Sequence, residues 1–251
     1  MWELIKELIR SLFKQDEAKA SPAIIVPPKE PMPEIPTPEE VKDFPKKEIE
    51  DFQFVDSSHY HDYVDPRKYK APILSHKCTQ GTGMIDDKWA KTKVICAENK
   101  IKLSGYHFYE CKQDWKKQVE HYLKTHGTFE LPPQVDYETY KTKSSEQTEA
   151  DLIKDKEELY LLLCELEKRT GMTPCLYLNY SAAGRMNFDK KFARFPVWLA
   201  RYNNTLGKIP LPWNDQQVLA WQFTETGIFP GFPPGNDVNI YYGKNNLLKL
   251  N

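Results

Sequence analysis

The sequence predicts an α/β fold of parallel strands joined by crossover helices, either a doubly wound sheet or a TIM-like barrel. Three observations carry that reading. Short apolar runs recur from residue 52 onward, helix-length stretches separate several of them, and a Pro-rich segment divides this region from what precedes it. No GxGxxG or Walker sequence accompanies the first strand, which counts against nucleotide binding.

Residues 1–15 place Trp2, Ile5, Leu8, Ile9, Leu12 and Phe13 at helical spacing, with Glu3, Lys6, Glu7 and Arg10 largely between them. This is the pattern of an amphipathic helix of about four turns. It is too short and too charged to span a bilayer, and its charges make a poor signal peptide, although an AKA triplet at 18–20 imitates a cleavage site. Two roles are open to it: an anchor on a membrane surface or protein partner, or a helix packed on its own barrel. Residues 16–50 hold eight prolines between Ser21 and Pro45 among many Glu and Lys, the composition of an extended linker. The folded domain is expected over 51–251.

Within that domain APILSHKCT, IKLSGYHFY, LPPQVDYE, PCLYLNY, FPVWLARY and VLAWQFT read as buried strands. WAKTKVICAENK, DWKKQVEHYLKTH and ADLIKDKEELYLLLCELEKRTG read as helices. The last closes with Lys168, Arg169 and Gly171, the residues of a helix stop. Apolar content of 40% and aromatic content of 13% suffice for a core, and a net charge of −1 offers no broad electrostatic surface for nucleic acid. Five scattered cysteines without a CxxC pair fit reduced thiols in a protein made in a cytoplasm, and they form no metal cluster.

In a barrel the C-terminal strand ends build the site. The first such end supplies Asp56, Ser58, His59 and His61, the second Lys77 and Thr79, the third Tyr106 and His107. LPPQVDYE supplies Asp136 and Glu138; later ends supply Tyr177 and Asn179, Trp198, Arg201 and Tyr202, Trp221 and Gln222, then Asp237 and Asn239. Asp136 and Glu138 share a face of one strand at roughly 6.5–7 Å between Cα atoms, so each opposes the other's ionisation. Alone, such a pair is more often a solvated strand end. With Asp56 and Asp237 at the same mouth, among aromatic rings, it fits glycoside cleavage, which needs one protonated and one ionised carboxyl. The His59-Tyr60-His61 sequence resembles the metal pair of amidohydrolase barrels, but no histidine follows His126 to complete such a site. We therefore expect no metal, and read His59 and His61 as polar lining of the cleft.

Taken in order, these motifs resemble the glycoside hydrolase family 25 lysozymes, the Chalaropsis-type N-acetylmuramidases of bacteria and phages. VDSSHYH is similar to the family's D-x-S-H segment, KCTQGTGMIDDKW to its K-A-T-E-G segment, GYHFY to G-A-Y-H-F, and LPPQVDYE to L-P-x-x-x-D-x-E. RTGMTPCLYLNY, PVWLARY, WQFTETG and NDVNIYYG follow in the family's order, so the likeness covers about residues 52–243. It implies an irregular (β/α)5β3 barrel that cuts the β-1,4 bond between N-acetylmuramic acid and N-acetylglucosamine in peptidoglycan, without a cofactor. It implies Glu138 as general acid, Asp136 as nucleophile or helper of the substrate acetamido group, and Asp56 and Asp237 as acids that tune charge and bind sugar. Tyr106, His107, Tyr177, Trp198 and Gln222 would line the cleft. The chain departs from the family at His61-Asp62, where Gln-Gly is common, and at Gln80, where Glu is usual; neither removes a proposed catalytic acid. The expected protein is a monomeric phage endolysin, made in the host cytoplasm and then released to the wall. The competing class is a silent wall-binding or virion-associated module on the same barrel.

Overall fold

The computed structural model describes residues 49–138, 149–245, 248 and 250. The helix expected over 1–15 and the linker up to residue 48 lie outside the described residues. Element order is β1 (Phe52–Ser57), β2 (Ile73–Gln80), β3 (Met84–Ile85), α1 (Trp89–Glu98), β4 (Lys102–Phe108), α2 (Trp115–His126), β5 (Gln134–Tyr137) and α3 (Glu149–Thr170). Then come β6 (Cys175–Asn179), α4 (Tyr180–Met186), a 3-10 turn (Lys190–Arg194), β7 (Val197–Ala200), β8 (Val218–Gly227) and β9 (Asn236–Tyr241).

Neighbouring strands run parallel from β1 through β2, β4, β5, β6 and β7 to β8. β9 turns back, pairs antiparallel with both β8 and β1, and closes an eight-stranded barrel; the short β3 adds to the edge of β2. Of the two predicted alternatives the barrel is therefore correct. α-Helices follow β2–β3, β4, β5 and β6, whereas the connections 58–72 and 201–217 are loops, and among the described residues no α-helix follows β7, β8 or β9.

Strand alternation builds two layers. Phe54, Ile73, Cys175, Trp198, Leu219 and Tyr241 pack together as an apolar plug at the base of the barrel. The opposite faces, with Val135, Leu176, Leu178, Val197 and Leu199, pack with Leu159, Leu162 and Leu166 of α3. Polar residues cluster above the plug, where the parallel strands end.

The helices form where their capping chemistry allows. Asp114 accepts hydrogen bonds from the N–H groups of Lys116 (2.9 Å) and Lys117 (3.1 Å), starting α2, and Gly127 stops it at φ 78°. Gly171 at φ 70° ends α3, as its sequence predicts. The short α4 was not predicted. It starts because Asn179, read from the sequence as a site residue, instead caps the helix by accepting from Ala182 N–H at 2.7 Å.

Gly105 joins β4 to both of its flanking helices. A Cβ there would lie 2.5 Å from Cη2 of Trp89 and 2.6 Å from Cδ2 of His126, two packed rings from α1 and α2. Gly105→Ala is expected to destabilise the fold by about 1–3 kcal/mol through overpacking, read from the urea midpoint at unchanged slope. An unchanged midpoint would mean that the two helices retreat freely.

Candidate active site

A cleft of about 240 Å³ opens at the C-terminal ends of the parallel strands, and all four expected acids, Asp56, Asp136, Glu138 and Asp237, line it. Register brings them there. Asp56 of β1 is the direct Cα partner of Asp237 on β9, and Phe108, Asp136, Tyr177 and Trp198 are successive partners across β4 to β7.

Asp56 sits in a hydrogen-bond network whose direction is determined. Trp198 Nε1–H can only donate and binds Oδ1 of Asn239 at 2.8 Å, so Asn239 must turn its NH2 to Asp56 Oδ1, 2.6 Å away. The Tyr177 and Tyr202 hydroxyls donate to Oε1 of Gln222 at 2.9 and 3.0 Å. The Gln222 NH2 donates to Asp56 Oδ1 and Oδ2 at 3.0 and 3.2 Å, an orientation set by the ionised carboxyl, which can only accept. Two amides of fixed orientation thus present donors to one carboxyl. Burial still lifts Asp56 to about 6, the Asn239 and Gln222 hydrogen bonds opposing the rise.

Asp237 and Asp136 are lifted further. Asp237 is pushed up to about 8, by burial first and then by Asp56, Glu225 and Glu138. Burial and the charge of Glu138 hold Asp136 well above the usual carboxylate range, against the pull of Lys77, and its buried Oδ1 receives no hydrogen bond from the protein. Burial also raises Glu138, with Glu225 adding to the rise and Lys77 opposing it. The adjacent pair therefore retains a proton near neutrality. Desolvation is the larger cause and the repulsion read from sequence spacing the smaller.

Tyr106, Tyr177, Trp198 and Gln222 line the cleft as expected, but His107 and His59 do not. Tyr106 and His107 are consecutive on β4, so only one can face inward. His107 is fully buried on the outer side, where its Nδ1 meets Thr79 Oγ1 at 2.8 Å and its Nε2 meets Gln118 Oε1 of α2 at 3.1 Å. Burial lowers it to about 4, so it is a neutral anchor for α2. The backbone N–H of His59 donates to Asp86 Oδ2 at 2.8 Å, and its ring Nδ1 lies 2.9 Å from the same oxygen. Asp86 also meets Nε2 of His76 at 3.2 Å. Burial would raise Asp86, but these hydrogen bonds hold it below the usual range. His59 thus supports the loop that carries Ser58, Tyr60 and His61 into the cleft wall.

Trp198 and Tyr177 are 2% and 9% exposed, too enclosed to stack on a sugar face. The open rings are Tyr60, 82% exposed, and Tyr202, 53% exposed, on the loops after β1 and β7 that line the cleft. Tyr60 and Glu225 escape the strand-end reading. Simple alternation after Gln222 would turn Thr224 inward, but a register shift between Gln222 and Thr224 reverses the phase and brings Glu225 to the cleft. Gln80 accepts from Lys77 Nζ at 3.2 Å and donates to Glu110 Oε1 at 2.5 Å, so it bridges a cation and an anion without contributing charge. Among the described residues no cluster of three His, Cys, Asp or Glu is disposed to hold a metal.

The profile for Glycosyl hydrolases family 25 matches residues 55–232. No curated protein matches the chain. Among solved structures, the chain is similar to the bacterial lysozyme from Streptomyces coelicolor, with a TM-score of 0.70 at 18% identity over 78% of this chain and 96% of that one. It is similar to a family 25 lysozyme from Aspergillus fumigatus, with a TM-score of 0.66 at 20% identity over 79% and 99%. The modular autolysin LytC from Streptococcus pneumoniae, in complex with a synthetic peptidoglycan ligand, gives a TM-score of 0.65 at 15% identity over 76% and 47%. At these identities the structures share the fold.

The acid cluster makes stability depend on pH. Asp237 titrates at about 8 in the folded chain against an ordinary 3.8, so the folded state binds more protons across that interval and stability falls as pH rises through it. His107 and His126, lowered from 6.5 to about 4, act in the opposite sense but only below 6.5. Above that pH Asp237, joined by Asp136, governs the slope. Melting temperature is expected to fall between pH 6.5 and 8, and Asp237→Asn should flatten the decline. Parallel curves for the two proteins would refute the assignment.

Proposed function

The chain belongs to glycosyl hydrolases family 25, and on that premise we propose that it is a lysozyme-type peptidoglycan hydrolase cutting the β-1,4 bond between N-acetylmuramic acid and N-acetylglucosamine. The observation that carries this reading is the meeting of Asp56, Asp136, Glu138 and Asp237 in one cleft, each carboxyl held above its ordinary range. Similarity of the fold to a structure containing a synthetic peptidoglycan ligand supports the substrate class.

Glycoside cleavage needs a proton for the leaving oxygen and negative charge for the oxocarbenium-like centre. Glu138 is only partly buried and stands at the mouth, so it is the acid that reaches the glycosidic oxygen. Asp136 lies deeper on the same strand face and acts below the sugar, as nucleophile or by orienting the acetamido group. As Glu138 gives up its proton the charges of the pair interact, and Lys77, which already favours the ionised form of both, steadies the result. Asp56, lifted to about 6 where Asp237 is lifted to about 8, supplies standing negative charge at neutral pH. Tyr60 and Tyr202 offer the exposed faces on which sugar rings stack.

We place the protein as a phage endolysin, a monomer made in the host cytoplasm that reaches the wall during lysis. The helical spacing of residues 1–15 supports a tether to a membrane surface or a partner, joined to the barrel by the Pro-rich segment. Deleting residues 1–15 should then reduce partition to anionic vesicles; equal partition would remove the tether.

Glu138→Gln is expected to lower turnover by about 10²–10⁴-fold with the melting temperature retained. The assay is digestion of purified peptidoglycan with mass spectrometry of borohydride-reduced products. Reduced muramic acid ends are expected from the parent chain. Wall binding without new ends would replace the enzyme by a silent binding module.

A further inference from the structure

His61 faces Asp237 across the cleft wall, with Nε2 3.8 Å from Oδ2. The ring has a determined proton position. The backbone N–H of Ser58 lies 3.2 Å from His61 Nδ1, and an N–H can only donate, so Nδ1 is the acceptor. The proton of the neutral ring therefore sits on Nε2, the atom turned to Asp237. The surrounding loop is pinned from three elements. His61 N–H closes a turn on Ser58 O at 2.9 Å, Asp86 at the end of β3 holds His59, and Lys88 at the start of α1 donates to the His61 carbonyl.

We propose that His61 is a positioning residue for Asp237, its directed Nε2–H holding that carboxyl against the cleft wall and favouring its ionised form. The groups that act on Asp237 from β1, β8 and the end of β5 are Asp56, Glu225 and Glu138, all carboxyls that favour the protonated form. His61 opposes them. Its own neighbours are His76 on β2, Lys88 before α1, and His59 and Asp62 on its own loop; burial first, then His76, Lys88 and His59, lower its proton affinity, and Asp62 opposes them. A neutral ring donates without adding a charge that would compete with Lys77 for the other acids. At 3.8 Å the two atoms stand just beyond hydrogen-bond length, and the donor closes that gap as Asp237 ionises.

The effect on turnover rests on the glycosidase reading above; the effect on Asp237 does not. The test is a titration of the Asp237 carboxyl carbon by NMR in the full chain, comparing the parent with His61→Leu and His61→Gln. His61→Leu should move the midpoint up by about half a pH unit, and His61→Gln, which keeps an N–H donor of similar reach, should restore it. An unmoved midpoint in His61→Leu, or an equal shift in both variants, overturns the proposal. Ring ¹⁵N shifts of the unsubstituted chain serve as a second measurement independent of variant folding: a proton on Nε2 is expected, and one on Nδ1 overturns it. If the midpoint moves while the acidic limb of kcat/KM stays in place, the positioning role stands and the catalytic reading of Asp237 falls.

Discussion

Asp56 accepts hydrogen bonds from two amides, those of Asn239 and Gln222. The indole of Trp198 holds one and the hydroxyls of Tyr177 and Tyr202 hold the other, and these groups come from β6, β7 and the loop after β7. The amides themselves stand on β8 and β9, and the carboxyl on β1. The network is possible only because β9 turns antiparallel and joins β8 to β1. Barrel closure and site assembly are thus one event, and the same closure sets Asp237 beside Asp56.

Gathering carboxyls in a desolvated cleft opposes stability, because each ionisation there lacks the hydration it has in the unfolded chain. The barrel tolerates this through the distribution of its polar support. Asp56 is well supplied with donors and titrates near 6. Asp136 has one buried oxygen without a donor and is raised much further. Lys77 acts on the Asp136–Glu138 side of the cleft and His61 on the Asp237 side. A chemically useful spread of proton affinities therefore arises among four groups that would be nearly alike in water.

Two register shifts show how sharply position along a strand controls facing. In β2 the shift between Lys77 and Thr79 leaves Lys77 in the cleft but turns Thr79 out to meet His107. In β8 the shift between Gln222 and Thr224 brings Glu225 in. Alternation read from sequence assumes an unbroken period of two, and a single extra residue inverts it. His107 is the complementary case: alternation itself, applied to Tyr106, already excludes it from the cleft. Tyr60 stands on a loop, where no period operates.

What the sequence determined by itself was the alternation of apolar runs and helices, the helix stop at Gly171, and the ordered motifs that set four acids at strand ends. These are local properties, decided by side-chain periodicity and by glycine at positive φ. Tertiary structure decided the rest. Closure of the barrel, the facing of His107 and Glu225, the depth that makes burial rather than repulsion the main force on Glu138, and the approach of His61 to Asp237 all depend on strands distant in sequence. Desolvation and charge coupling act through space, and no window along the chain contains them.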